Sequence, residues 1–431
     1  MDVRLESFPG NGRGEGLLGR AAAGMIPRLL RPPRLRTAEE GGELRHTTWM
    51  EAFYDLVFVV AVAALGTRLY NDDSPAGILQ FAGLFVPVWW AWVGHTIYAA
   101  RFDTDDLVHR LATAAMMIAA ATMAVQIPTA LGSGSAGFAA AYVGARVILI
   151  LLYLGARYTV PEARGVASLY ITGFGLGVGL WAASIFVPPP ARYALWVAGL
   201  AVDFATPWVG RWQGILRRFP LGTSHLPERF GLFTIIVLGE TILGVVGGMS
   251  QVKWQAATVA TATLAFAIAM CIWWIYFTFV EEAPFICNLG SGQPYIYSHL
   301  PIVVAVVIIG VGMRHAIVEA TQPTLGAEAL RLIGLGVVLW LVAFLELMLA
   351  NVRNLPLRRT VGTYAGTLGV TVLITSIGAY FSPPLVLAGL TLMFVALVQL
   401  DVYSWGSGQH GGEPSRQRDG ATQEYEGKGK D

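Results

Sequence analysis

The chain has 431 residues, 55% of them hydrophobic and 13% charged, with a mean hydropathy of +0.57. A charged share about half the roughly 25% of soluble domains excludes an ordinary water-soluble protein and points to a polytopic membrane protein whose constant partner is the lipid bilayer. A formal net charge of +1 excludes a general attraction to nucleic acid, and two cysteines, Cys271 and Cys287, cannot build a disulfide framework or a four-ligand metal site.

Residues 1–46 hold eight arginines among Gly, Pro and Glu, with no long apolar run and no signal-peptide pattern. They read as a disordered basic N-tail able to touch anionic headgroups. From residue 48 onward, apolar stretches of about 20 residues, the length that crosses a ~30 Å hydrocarbon layer, recur with short connections. Twelve are expected, at 48–69, 77–100, 108–130, 137–158, 165–187, 192–212, 228–249, 255–280, 296–319, 327–350, 361–381 and 384–404. The stretch at 192–212 is the least regular, because it contains Asp203 and Pro207. The tail from 405 to 431 is polar and reads as disordered.

Loop charge sets an expected orientation. With both termini in the cytoplasm, 23 of the 29 Lys and Arg fall on the inner side, which places the chain as a multi-pass protein of the cell membrane. The two halves also align. Trp89-Trp90 matches Trp273-Trp274, His109 matches His299, and Phe186-Val187-Pro188-Pro189 matches Phe381-Ser382-Pro383-Pro384. The expected fold class is therefore all-α, with about twelve transmembrane helices in two parallel six-helix repeats. The first repeat spans 47–212 and the second 228–404, joined by a cytoplasmic linker at 213–227. Repeats of this kind are common in transporters, whose sites lie between the halves.

Four motifs carry a resemblance to a known family. They are Glu51-Ala52-Phe53-Tyr54-Asp55-Leu56-Val57-Phe58-Val59, Arg101-Phe102-Asp103-Thr104-Asp105-Asp106, Glu228 through Glu240, and Tyr297-Ser298-His299-Leu300-Pro301. With these motifs the chain resembles the bacterial low temperature requirement protein A family over residues 48 to about 320. The last three spans resemble it in hydropathy and position alone. The resemblance implies a cytoplasmic-membrane protein linked by name to growth in the cold, with no agreed substrate, reaction or cofactor.

Ionisable groups inside a bilayer cost about 2.5 to 3.5 kcal/mol each on insertion scales, so each needs a reason. Glu51 and Asp55 lie at i and i+4 at the mouth of the first span. Glu51 fits a capping box with Thr48, whereas Asp55, one turn deeper, needs a cation or hydrogen bonds to remain ionised. It is read either as a proton- or cation-binding group or as a structural interhelical bond. Glu240 lies mid-span in the second half, where the first half has Ala63, and carries the same two readings. His95 approaches the end of the second span near Glu51 and Asp55, and His299 opens the third span of its half. With Glu228, the counterpart of Glu51, they complete the binding candidates. Asp103, Asp105 and Asp106 form a weak divalent-metal candidate through hard oxygen ligands, against a bland reading as solvated loop residues and a helix cap. Trp89, Trp90, Trp92, Trp273 and Trp274 read first as interfacial anchors, and then as an aromatic cation site. Arg146, Asp203, Glu346 and Asp401 are further charges within spans, with Arg146 and Asp203 able to pair.

The function expected from these features is transporter-like or channel-like movement of a small solute, proton or cation by way of buried carboxylates. A membrane-embedded enzyme acting on a lipid or lipid-linked substrate at the cytoplasmic rim is the alternative, and a structural or sensory membrane protein a third reading. The absence of a nucleophile–base–acid arrangement tilts the reading away from an enzyme.

Overall fold

A computed structural model describes residues 34–35, 48–103, 106–218, 226–282, 293–351 and 356–409. Twelve long helices follow one another along these segments. In the first half they are α1 (Trp49–Asn71), α2 (Pro75–Arg101), α3 (Leu107–Gln126), α4 (Ser135–Thr159), α5 (Arg164–Ile185) and α6 (Ala191–Trp212). The second half contains α7 (Leu226–Met249), α8 (Ala256–Glu282), α9 (Gln293–Val318), α10 (Ala327–Asn351), α11 (Leu357–Ile377) and α12 (Pro383–Gln409). Eleven of them are long and apolar enough to cross a membrane. The exception is α6, which carries Arg192, Asp203 and Arg211 over 22 residues. The chain is a polytopic helical membrane protein.

The helix ends follow local chemistry. Thr48 caps α1 in a complete capping box with Glu51, Ser74 caps α2 ahead of Pro75, and Asp106 caps α3 by accepting from the His109 N–H at 2.8 Å. Helix α3 stops at Gln126, four residues short of the apolar stretch, because the segment Ile127–Thr129 tightens into a 3₁₀ turn around Pro128. Arg192 donates from Nε to the carbonyls of Ser184 and Val187, so its charge satisfies orphan acceptors at the end of α5. Gly214, at φ +74°, supplies the left-handed residue that turns the chain out of α6 and into the short helical turn Ile215–Arg218.

Among the described residues, two short strands pair with each other. Arg34–Leu35 (β1) pairs antiparallel with Phe102–Asp103 (β2), in the register Arg34 to Asp103 and Leu35 to Phe102. This short bridge lies within the stretch expected to be a free tail; the rest of 1–46, and residues 410–431, lie outside the described residues.

In the first half α1 packs on α2 and α3, followed by α3–α4, α4–α5 and α5–α6 contacts; in the second α7 packs on α8 and α9, followed by α9–α10, α10–α11 and α11–α12, but α8 packs chiefly on α12, whereas α2 packs on α4. The halves meet along α1–α7, α1–α9, α2–α9 and α2–α7, with α9 also bonded to α6. Helix α9 is the most enclosed of the spans and α11 the least. Proline at 207 deprives α6 of a backbone donor. Around it, α9 lends side chains: Gln293 Nε2 donates to the Pro207 carbonyl at 2.5 Å and the Tyr297 hydroxyl to the Phe204 carbonyl at 2.8 Å.

Candidate functional site

The site grows from the mouth of α1. Thr48 Oγ1 accepts from the Glu51 N–H at 3.3 Å, and Glu51 Oε2 accepts from the Thr48 N–H at 3.0 Å. The same Glu51 oxygen is 3.5 Å from Arg229 Nη1 on α7. One turn deeper, Asp55 is 1% exposed, and its Oδ1 accepts from Arg229 Nη2 and from Trp92 Nε1 on α2, both at 2.7 Å. The Trp92 ring is held by Phe233, stacked at 4.2 Å, and by Phe230, edge-on at 5.0 Å. Three helices therefore converge on one carboxylate oxygen, while Asp55 Oδ2 is buried with no protein partner.

Glu240 sits elsewhere on the same seam. Its Oε1 would be 2.6 Å from a Cβ placed on Gly66, so the glycine gives the carboxyl room against α1. Asp55 and Arg229 are 174 residues apart, and Gly66 and Glu240 have the same separation, so α1 and α7 run parallel without slippage. Eleven residues of helix separate the two levels, about 16 Å along the axis. Beyond the Glu240 level, the Arg314 guanidinium lies 3.7 Å from the Tyr70 ring centre, and Tyr70 stacks on His315 at 4.5 Å. His315 Nε2 approaches Asp73 Oδ2 at 3.4 Å, and Arg331 Nη2 donates to the Asp73 carbonyl at 2.8 Å.

The two histidines expected to support the site differ. His299 is satisfied at both nitrogens, Nδ1 against the Tyr295 carbonyl at 2.6 Å and Nε2 against the Tyr276 hydroxyl at 2.9 Å. His95 lies tilted against Tyr54 at 4.3 Å, stacks on His109 at 5.6 Å, and bonds through Nε2 to Thr113 Oγ1 at 3.1 Å. Glu228 is half-buried in the first turn of α7. Of the acidic loop, Asp105 and the Asp103 side chain lie outside the described residues, and Asp106 is the α3 cap. Among the described residues no cluster of three His, Cys, Asp or Glu groups could hold a metal ion.

A second buried ion pair lies wholly within the first half. Arg146 Nη2 on α4 donates to Asp203 Oδ2 on α6 at 2.7 Å, and the Tyr142 hydroxyl donates to the same oxygen at 2.8 Å. The guanidinium also lies 4.1 Å from the Phe174 ring centre. This pairing explains how α6 tolerates an aspartate.

Some expectations are corrected. Trp89, Trp90 and Trp92 are buried in the bundle and are not interfacial anchors; Trp90 stacks on Phe204 at 4.1 Å. Their counterparts Trp273 and Trp274 are exposed on the surface of α8, as anchoring requires. Glu346 lies on the exposed side of α10, and the Asp401 side chain is outside the described residues. Arg229, which the sequence did not single out, is 4% exposed and is the cation that Asp55 needs. The sequence alignment, which sets Glu240 opposite Ala63, puts Leu232 opposite Asp55, so the pairing with Arg229 three residues earlier was not legible in it.

The comparisons agree with this architecture. The family described as bacterial low temperature requirement A protein (LtrA) matches residues 46–399. The chain belongs to that family. The match reaches through the last three helices, beyond residue 320, where the motifs had thinned. The chain is also 28% identical over 357 residues to the uncharacterized protein RA0937 of Rhizobium meliloti (strain 1021), covering 78% of this chain and 84% of the relative. As a member of the LtrA family, the chain carries its opening Glu-x-x-x-Asp motif on the helix that meets the second half.

Proposed function

We propose that this LtrA-family protein moves a small solute or ion across the membrane along the α1–α7 seam, with Asp55 and Glu240 as its proton-accepting groups. One observation carries the reading: an almost fully buried Asp55–Arg229 ion pair joins the first helix of each half, and Glu240 lies further along that same parallel contact. A charged pair within a bilayer is expensive, and placing it between two bundles that can rock against each other makes its breaking and re-forming a natural step of alternating access.

The proposal includes the two-repeat plan, 47–212 and 228–404, supported by the parallel α1 and α7 and by the matching runs of neighbours α1–α3–α4–α5–α6 and α7–α9–α10–α11–α12, from which α2 and α8 depart. It also includes cytoplasmic termini in the cell membrane, supported by the excess of Lys and Arg on that side.

The test is flux into proteoliposomes containing a pH-sensitive dye. Wild-type protein is expected to dissipate an imposed proton or cation gradient, with Asp55→Asn and Glu240→Gln each slower by about tenfold or more. Wild-type protein that moves nothing, or variants that keep its rate, sinks the proposal.

A further inference from the structure

Several buried polar groups on and opposite α2 are left unused by the ion pair. On α2, at 100° per residue, Trp89, Trp92, His95 and Thr96 fall within an arc of about 120°. Trp92 marks where that arc points, since its indole donates to Asp55. On either side of it, Trp89 Nε1, His95 Nδ1 and Thr96 Oγ1 have no protein partner, and none of these residues is more than 1% exposed. The groups that meet Trp92 are left short in the same way, Asp55 at Oδ2 and Arg229 at Nε. Buried polar atoms are nearly always hydrogen-bonded, at about 1 to 3 kcal/mol for each one left unmade, so five on three helices are an accommodation for something polar.

The hydrogen-bond directions define its chemistry. Thr113 spends its hydroxyl proton on the His109 carbonyl at 2.9 Å, so it accepts from His95, whose Nε2 must then carry the proton. His95 Nδ1 is left as a bare acceptor. Together with Asp55 Oδ2 it makes two acceptors; Trp89 Nε1 and Arg229 Nε make two donors, and Thr96 can act as either. His299 offers nothing comparable, since both of its nitrogens are engaged. His95 meets Tyr54 of α1 and His109 and Thr113 of α3, Trp92 meets Asp55 of α1 and Phe230 and Phe233 of α7, and Trp89 lies against Phe204 of α6. Asp55 and Arg229 neutralise each other there, while the remaining charge, Glu51, stays partly exposed at the mouth. A bare cation would meet the guanidinium and a bare anion the carboxylate.

We infer that this face of α2, with Asp55 and Arg229 opposite, binds a small net-neutral solute, uncharged or zwitterionic, that both donates and accepts hydrogen bonds. The inference deepens the transport reading and rests on it for its role: the carboxylates then serve coupling, and the solute is the cargo.

Binding is measurable without flux. In full-length protein labelled with ¹⁵N-histidine, His95 is assigned by the signal lost in His95→Gln, and His299 by His299→Gln. His95 is expected as the Nε2–H form. Its Nδ1 resonance should move on adding urea, glycerol or glycine to about 0.1 M, and stay still with rubidium chloride, while His299 responds to none of them. Thr96→Val and Trp89→Phe, each removing one partner, should weaken the responding probe by about fivefold. An Nδ1–H form of His95, a shift caused by rubidium alone, no shift with any probe, or unchanged affinity in both variants overturns the inference. A shift without flux leaves the binding site standing and removes the transport reading; flux without a shift does the reverse.

Discussion

Among the described residues lie two buried Arg–Asp pairs of equal length, and their surroundings differ. Arg146–Asp203 and Arg229–Asp55 both close at 2.7 Å, and in each an aromatic donor, Tyr142 or Trp92, shares the carboxylate oxygen that the arginine uses. The first pair joins α4 to α6 inside one half, with Phe174 over the guanidinium and glycines at 94 and 177 letting backbones approach it closely. The second spans the two halves, has Glu51 at its mouth as a competing partner, and borders the unpartnered polar face of α2. The same chemistry thus sits enclosed within one half in one place, and between the halves with a second carboxylate in reach in the other.

The comparison breaks most readily at the enclosed pair. Arg146→Met alone leaves Asp203 buried without its cation, and is expected to cost about 3 to 5 kcal/mol, read as loss of folded protein in size-exclusion and thermal-unfolding measurements. Adding Asp203→Leu should recover much of that loss, because a pair with a purely structural role can be exchanged for apolar packing. Failure of the double variant to recover would move Arg146–Asp203 out of the structural class.

At the seam the order of effects reverses. Asp55→Asn should lose flux by tenfold or more yet cost less stability than Arg146→Met, about 1 to 3 kcal/mol, since Arg229 keeps Glu51 within 3.5 Å. Equal destabilisation by the two changes would erase the distinction between the pairs.

Two glycines sharpen the contrast further. A Cβ at Gly177 would collide with Asp203 Oδ1 and come within 3.0 Å of its Cγ, and the neighbouring Gly199 backbone leaves little room to yield; Gly177→Ala is expected to cost about 1 to 3 kcal/mol in thermal unfolding. Gly66→Ala meets the tip of the flexible Glu240 side chain, and should disturb flux more than stability. The smallest effect belongs to Thr48→Ala, about 0.5 to 2 kcal/mol from the lost cap, with flux altered only as far as Glu51 is released toward Arg229.

Much of this was legible before any tertiary contact was known. The positions of eleven of the twelve long helices follow from apolar length, and α6 is the exception. The Thr48–Glu51 box and the Asp106 cap follow from local spacing, because the partner of a cap lies three residues away in the same chain segment. Glu51, Asp55 and Glu240 were visible as charges where charge is costly. Trp92 was visible only as an aromatic, and its role as a donor to Asp55 depends on a helix that arrives 37 residues later. The burial of Trp89 against the exposure of Trp273 was likewise hidden, since the two halves share the motif but not the neighbours that cover it.

What the sequence by itself determined is therefore local and one-dimensional: which segments span, where they start, and which charges they carry into the bilayer. Only the tertiary structure decided how those charges are satisfied. Helical periodicity specifies the face on which a side chain stands, whereas the partner on that face depends on which helix packs there and at what depth. For Asp55 that partner is Arg229, brought from 174 residues away by the parallel contact of α1 with α7.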